Sequence, residues 1–179
     1  MKRYPSRIQS RCQLRSGVVL GLRVIRPEDE GRMVAFHKSL SQLTVRRRYF
    51  DSFSLEARIE PGRLKRICNP DLETEVAIVA ECESGDGQER KIVGVARLED
   101  MLGRDEAEYA IIVADSWQQK GLGRKMMTQL VVLARSKGLK RISAEILPDN
   151  KGMRKMLRGL GFTLQDDYAN QTTYTSLCL

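Results

Sequence analysis

One stretch near the middle of the chain limits the possible folds more than any other. It begins with the β-branched, alternating run Glu106–Val113 and continues through a polar segment that contains Gly121 and Gly123. An apolar-periodic run, Leu122–Lys137, follows at once and stops before Gly138, a typical helix end. Four apolar residues share one face of that run: Leu122, Met126, Leu130 and Leu133. The sequence therefore predicts a strand, a glycine-containing loop and a long helix in immediate succession.

The other elements follow from hydrophobic period and turn residues. Further strands are predicted at residues 11–15, 18–25, 75–82, 91–98, 141–147, 162–168 and 174–178. Further helices are predicted at about 28–40, 42–50, 60–68 and 151–160, and a turn at 84–87 joins two strands. A chain of 179 residues is the size of one domain. We expect a single domain, 1–179, of the α/β (α+β) class, with a largely antiparallel central sheet between helices.

The charge of the chain narrows the class of partner. The net charge is +8 and the isoelectric point is about 9.5, which favours a polyanionic partner such as nucleic acid or a phosphate-rich cofactor. The densest basic cluster is Arg46, Arg47 and Arg48. At helical spacing these side chains point in different directions, so they do not form a nucleic-acid stripe. We therefore do not expect nucleic acid as the partner.

Cysteine and histidine usage argues against a metal site. Four scattered cysteines without a C-x-x-C pair suggest no zinc site, and we expect reduced thiols. They are Cys12, Cys68, Cys82 and Cys178. The lone His37 cannot build a metal site by itself, and we expect it on the surface or at the cap of an early helix. No apolar run approaches the roughly 20 residues of a membrane span, and no signal peptide is evident, so a cytoplasmic location is expected.

The loop between the central strand and the long helix is a candidate phosphate site. Glycines such as Gly121 and Gly123 allow a backbone to approach a ligand closely. The first turn of a helix presents free N–H groups and a partial positive charge. Lys120, Arg124 and Lys125 add mobile positive charge. Two glycines at this spacing are equally typical of a plain tight connection, so the residues alone leave both interpretations open.

Two blocks together resemble one known family. Gln118-x-x-Gly121-x-Gly123 resembles the signature of the GCN5-related N-acetyltransferases, and the block from Asn150 to the Leu-Gly-Phe ending at Phe162 resembles the family's second motif. The resemblance implies acetyl-CoA as co-substrate, with its pyrophosphate on the loop and its pantetheine between two splayed strands, 106–113 and 141–147. The residues that it assigns to CoA are Ile111 and Val113 through their backbones, Gln118, Lys120, Gly121, Leu122, Gly123, Arg124, Asn150 and Met153.

The resemblance also implies a general base, Glu108. Alternation along the strand places Glu106, Glu108, Ala110 and Ile112 on one face. The apolar members of that face predict a partly buried carboxylate, whereas the competing interpretation is the polar side of an exposed strand. Glu106 and Glu145 are the alternative bases. Many members of the wider family carry a tyrosine acid where this chain has Leu157.

A narrower likeness concerns the acceptor. Tyr4-Pro5 and the segments 22–29, 39–41 and 48–50 resemble the acetyltransferase module of bacterial protein-lysine acetyltransferases. Many of those modules are fused to an acyl-CoA synthetase-like domain, and we expect a free-standing module here. The resemblance implies a protein lysine ε-amine as acceptor.

Other acceptors and other classes of function stay open at this stage. The acceptor could instead be a protein N-terminus, a polyamine or another small amine. The chain could also be a non-catalytic acyl-CoA sensor or a nucleic-acid-binding module. We expect a monomer or a homodimer.

Overall fold

The computed structural model describes residues 3–83 and 90–179, which form eight strands and six α-helices. The strands are β1 (Gln9–Gln13), β2 (Val19–Val24), β3 (Glu75–Glu83), β4 (Arg90–Asp100), β5 (Glu106–Val113), β6 (Arg141–Ile146), β7 (Thr163–Asp167) and β8 (Thr172–Cys178). The helices are α1 (Glu30–Lys38), α2 (Gln42–Tyr49), α3 (Leu55–Arg58), α4 (Pro61–Cys68), α5 (Leu122–Lys137) and α6 (Lys151–Arg158). Two 3-10 turns, Pro27–Asp29 and Asp115–Trp117, precede α1 and the glycine loop.

The predicted order of elements and the predicted fold class are confirmed, with small differences. The short helix α3 was not predicted, because its four residues carry no period, although Ser54 caps it by accepting from the Ala57 N–H at 3.2 Å. The acidic turn Pro27–Asp29 is a 3-10 turn and not the start of α1. The predicted turn at 84–87 lies outside the described residues.

All described strands belong to one sheet in the order β1-β2-β3-β4-β5-β6-β8-β7. Every neighbouring pair is antiparallel except β5 and β6, which are parallel. This parallel pairing is brief, because it joins only Glu106–Glu108 to Arg141–Ser143. Beyond it, β5 stays paired to β4 as far as Val113, and β6 stays paired to β8 as far as Ile146. The two strands therefore diverge and leave a V-shaped cleft, as the sequence predicted.

Helices cover both faces of the sheet, and β3 shows how the two cores are divided. Val76, Ile78 and Ala80 join the core that α5 and α6 cover, whereas Ala77 and Val79 join the core that α1, α2 and α4 cover. Side chains alternate across a strand, so a strand buried on both faces is continuously apolar. This explains the unbroken apolar run of β3.

Three buried ion pairs hold the N-terminal part of the chain against the sheet. Arg23 donates to Asp29 at 2.7 and 2.8 Å and to Glu81 at 3.0 Å. Burial works to raise the pKa of Asp29, but hydrogen bonds from Arg23 hold that pKa below its usual value. On the far side, the buried Lys137 pairs with Asp100, which also accepts from the Tyr4 hydroxyl at 2.7 Å. Because each charge has a partner, burial does not leave it uncompensated.

His37 is buried, so the prediction of a surface or cap position was wrong. Its exposed fraction is 2%, and neither ring nitrogen has a hydrogen-bond partner among the described residues. The reason is tertiary, because α3 and α4 pack over the end of α1 and Arg58 donates to the His37 carbonyl at 2.9 Å. Burial, together with the charges of Arg63 and Arg58, lowers the pKa of His37 to about 4.

Candidate active site

The narrow end of the cleft, its apex, is marked by Glu108 and Ser143. They form the last parallel pair between β5 and β6, and on the other side Glu108 lies opposite Glu99 of β4. Glu108 is exposed, whereas Ser143 is fully buried and its hydroxyl has no hydrogen-bond partner among the described residues. The expectation of a partly buried Glu108 was therefore wrong, because the divergence of the strands opens this face to solvent.

Glu108 faces the side of the sheet that α1 and α2 cover. Ile112 lies on the same face of β5 and packs in the core that contains Val45 of α2. Arg48 of α2 comes close enough to Glu108 for the carboxylate charge to act on it, and its guanidinium lies 5.0 Å from the centre of the Tyr49 ring. Burial lowers the pKa of Arg48, and the charges of Tyr49 and Glu108 work against that shift. An acceptor that reaches Glu108 must approach from this side.

The opposite face of the apex is closed by Tyr109. Its hydroxyl is hydrogen-bonded to Thr175 of β8, and the Thr175 hydroxyl donates to the Ala144 carbonyl of β6 at 2.8 Å. The Tyr109 ring packs edge-on against Phe162, with the ring centres 5.4 Å apart. Burial raises the pKa of Tyr109, although the hydrogen bond with Thr175 works to lower it. The sequence alone did not single out Tyr109, but alternation on β5 already placed it opposite Glu108.

At the wide end of the cleft, helix α2 contacts both sides: the turn that follows β5 and the residues that follow β6. On the β5 side, Ser41 and Thr44 donate from their hydroxyls to the Asp115 carboxylate at 2.6 and 2.8 Å. On the β6 side, Arg46 forms an exposed ion pair with Asp149 at 3.1 Å. Neither contact was predicted, because each joins residues more than 70 positions apart in the sequence. One short helix thus contacts both sides of the cleft.

Gln118, which we predicted to bind CoA, uses its side chain inside the protein. Its amide nitrogen donates to the Val113 carbonyl and to the Thr44 hydroxyl, both at 2.9 Å. Gln118 therefore fixes the start of the loop to the end of β5 and to α2. Beyond Glu108, the edge of β5 that faces β6 has no strand partner among the described residues. The backbones of Ile111 and Val113 lie on this edge, which an extended ligand could pair with as a strand would.

The glycine loop bends as the motif requires. Gly121 has φ +91° and Gln119 has φ +59°, both in the left-handed region. No side chain caps the N-terminus of α5 in the part of the chain that the structure describes, so its first N–H groups, including those of Leu122 and Gly123, point into the loop. A Cβ atom on Gly123 would make ordinary van der Waals contact with the Met156 sulfur of α6 at 3.4 Å, so the start of α5 lies beside α6.

The basic side chains of the loop are placed in two different ways. Lys120 is exposed, with its ammonium 5.4 Å from the centre of the Trp117 ring. Arg124 is also exposed, and its guanidinium donates to the Gly159 carbonyl at the end of α6 at 3.0 Å. Lys120 and the free N–H groups of α5 therefore give the loop a positive potential that suits an anion, and Arg124 adds positive charge nearby.

The second sequence block forms the start of α6. The Asn150 side-chain carbonyl oxygen accepts from the Met153 N–H at 3.2 Å, so Asn150 is the N-cap of α6. Met153 is partly buried and packs against the core. Leu157, at the position of the family's tyrosine acid, is fully buried. No proton donor therefore stands at that position.

The start of α5, the free edge of β5 and Glu108 together suit one class of ligand. A backbone edge that can pair with an extended ligand leads from an anion-binding helix end to an exposed carboxylate. This suits a long, phosphate-bearing carrier whose reactive end reaches Glu108. Among residues 3–83 and 90–179, no three His, Cys, Asp or Glu side chains cluster as metal ligands, and no helix is long and apolar enough to cross a membrane.

Comparison with known proteins agrees with this geometry. The model of the acetyltransferase (GNAT) family matches residues 43–162, which is more than half of the chain. The chain belongs to this family: it is an acetyl-CoA-dependent acetyltransferase.

Three relatives illustrate the likeness. An acetyltransferase of Pseudomonas aeruginosa is 29% identical over 151 residues, 84% of this chain and 78% of that protein. The acetyltransferase Pat of Mycolicibacterium smegmatis is 42% identical over 55 residues, 31% of this chain and 16% of Pat. The GNAT domain of S. lividans PAT superposes with a TM-score of 0.83 at 23% identity, covering 96% of this chain and 97% of that domain. At that identity the superposition establishes the fold.

Proposed function

We propose that this acetyltransferase transfers the acetyl group of acetyl-CoA to the ε-amine of a protein lysine, with Glu108 as the general base. The observation that carries the proposal is the position of Glu108, exposed at the apex of the cleft on the side that α2 covers. The resemblance of Tyr4-Pro5 and of segments 22–29, 39–41 and 48–50 to protein-lysine acetyltransferase modules supports a protein lysine as acceptor.

The donor end of the site follows from the loop. The pyrophosphate of acetyl-CoA binds the first N–H groups of α5 beside Gly121, with Lys120 adding charge. The pantetheine runs along the unpaired edge of β5, by Ile111 and Val113, toward Glu108. Asn150 and Met153 then form the α6 side of the donor site.

The reaction needs two proton transfers and one bond exchange. The Glu108 carboxylate accepts a proton from the lysine ammonium, and the neutral amine attacks the thioester carbonyl carbon. The carbon–sulfur bond breaks and CoA leaves as a thiolate, which then takes the second proton from the new amide nitrogen. Since a thiol has a pKa of about 8.5, the thiolate leaves without an acid at the Leu157 position. The exposed Glu108 can exchange its proton with water between turnovers.

The acceptor is tested by incubating candidate proteins with labelled acetyl-CoA and the enzyme, then locating the label by mass spectrometry. The expected site is a lysine Nε, and a reaction without enzyme is the control. Label confined to protein N-termini or to small amines would contradict the proposal and leave only the acetyltransferase activity standing.

A further inference from the structure

A groove of about 900 Å³ lies along α6 and shares no lining residue with the proposed donor site. Its walls are the outer face of α6, the β7–β8 turn, the end of α2 and the residues that follow β6. We call this surface the basic groove. The charged side chains that line it are Arg46, Lys151, Arg154, Lys155 and Arg158, and Asp149, Asp166 and Asp167.

The acidic side chains of the basic groove are already engaged. Asp149 pairs with Arg46 at 3.1 Å, and Asp166 accepts from Arg154 at 2.6 and 3.1 Å. The hydrogen bonds from Arg154 and Thr173 lower the pKa of Asp166 to about 2. The third carboxylate, Asp167, accepts a hydrogen bond within the β7–β8 turn from the Asn170 side-chain amide at 2.8 Å.

Three basic side chains remain without such partners. Lys151, Lys155 and Arg158 are exposed and form no ion pair or hydrogen bond with the described residues. Their spacing places them on one face of α6, a helix that contains no acidic residue. Like charges at this spacing oppose each other, so the face favours a negatively charged ligand.

The basic groove and the CoA loop lie on opposite faces of α6. Met156 and Leu157 face the core and the start of α5, where a Cβ on Gly123 would meet the Met156 sulfur. Lys151 and Lys155 point away from that face by helical geometry. Phosphates held on the α5 loop are therefore separated from the basic groove by the helix itself.

Two exposed aromatic residues border the basic groove. Phe50, at the end of α2, is 41% exposed and has φ +66°, and Tyr168, in the β7–β8 turn, is 88% exposed. Aromatic side chains left on the surface are typical contacts for a polypeptide partner. The end of α2 also covers the Glu108 face of the sheet, so the groove adjoins the acceptor side of the cleft.

We propose that the basic groove binds an acidic stretch of the acceptor polypeptide next to the target lysine. The positive face of α6 attracts the carboxylates, and Phe50 and Tyr168 pack against the peptide on either side. This inference rests on the proposed function, because it assigns the sequence around the acceptor lysine. It predicts that the enzyme selects lysines with Asp or Glu neighbours.

The test compares two synthetic peptides with one lysine each, identical except that the flanking residues are Glu in one and Gln in the other. Binding is measured by fluorescence anisotropy without turnover. We expect the acidic peptide to bind at least about tenfold more tightly, with an affinity that falls as salt rises. In the double variant Lys155→Gln with Arg158→Gln this preference is lost, whereas acetyl-CoA affinity stays within about twofold.

The matched control is Arg11→Gln, an exposed change on β1 at the far edge of the sheet, which leaves both affinities unchanged. Thermal denaturation of each variant checks folding, and Lys151→Gln is the second groove variant if the double variant does not fold. Equal binding of the two peptides by the unchanged enzyme overturns the proposal. A loss of acetyl-CoA affinity instead of peptide affinity also overturns it and assigns the groove to a CoA phosphate. Because binding is measured without turnover, failure of lysine acetylation is distinguishable from failure of the groove.

Discussion

Glu108 and Ser143 are the last paired residues of β5 and β6, and the two arms of the cleft separate immediately beyond them. Their side chains share one face of the sheet but differ in environment, because Glu108 is exposed and Ser143 is fully buried. The Glu108 carboxylate can therefore meet an acceptor from solvent, whereas the Ser143 side chain beside it is shielded from solvent.

Replacing Glu108 with Gln removes the proposed base and keeps the shape of the side chain. We expect turnover to fall by about 10²–10⁴-fold while the affinity for acetyl-CoA stays within about twofold. Steady-state kinetics and calorimetry measure the two quantities. Glu106→Gln and Glu145→Gln are the matched controls, since both carboxylates lie on the same face of the sheet. If either control loses turnover and Glu108→Gln does not, the base is misassigned.

Changing Gly121 to Asp places a carboxylate in the anion-binding loop at φ +91°. We expect acetyl-CoA affinity to fall at least about 100-fold, because the new charge opposes the pyrophosphate. Gly121→Asn is the control, since Asn tolerates a left-handed backbone and carries no charge, and it loses less than about tenfold. Calorimetric titration separates the two, and equal affinities for Asp and Gly would refute the loop assignment.

Ser143→Ala removes a buried hydroxyl that has no partner among the described residues. We expect the free energy of unfolding to rise by about 1 kcal/mol, because an unsatisfied buried hydroxyl costs that order of energy. Thr175→Val gives the opposite sign, since the Thr175 hydroxyl bonds Tyr109 and the Ala144 carbonyl. Urea denaturation of both variants measures the difference. A destabilised Ser143→Ala would mean that the hydroxyl is satisfied in solution.

His37 should make stability depend on pH on the acidic side of neutrality. Its pKa is lowered to about 4 in the folded state from an ordinary value of 6.5, because it is buried near Arg63 and Arg58. The unfolded chain therefore binds more protons between these values, and stability falls as pH drops from 6.5 toward 4. From pH 7 to pH 5 the loss is about 2 kcal/mol.

His37→Leu tests this assignment. Denaturation at pH 7 and pH 5 should show a smaller difference in the variant than in the unchanged protein, by about the same 2 kcal/mol. Carboxylates such as Asp29 titrate at lower pH and contribute equally to both proteins. An undiminished pH dependence in the variant would assign the effect to another group.

The sequence by itself determined the local elements and the donor motif. β5, with its two-residue alternation, and α5, with its helical period and closing Gly138, have the predicted bounds because these signals come from neighbouring residues. The left-handed backbone of Gly121 and the N-cap of Asn150 are equally local features, because each depends on residues that are near in the sequence.

Only the tertiary structure decided how these pieces combine into a site. Glu108 is exposed because β6 leaves β5 after Ser143, and His37 is buried because later helices cover it. The Gln118 side chain donates a hydrogen bond to the Thr44 hydroxyl, which lies 74 positions away in the sequence. Burial and hydrogen bonding depend on which distant elements pack together, and a period of two or of 3.6 residues records only the direction of a side chain from its own backbone.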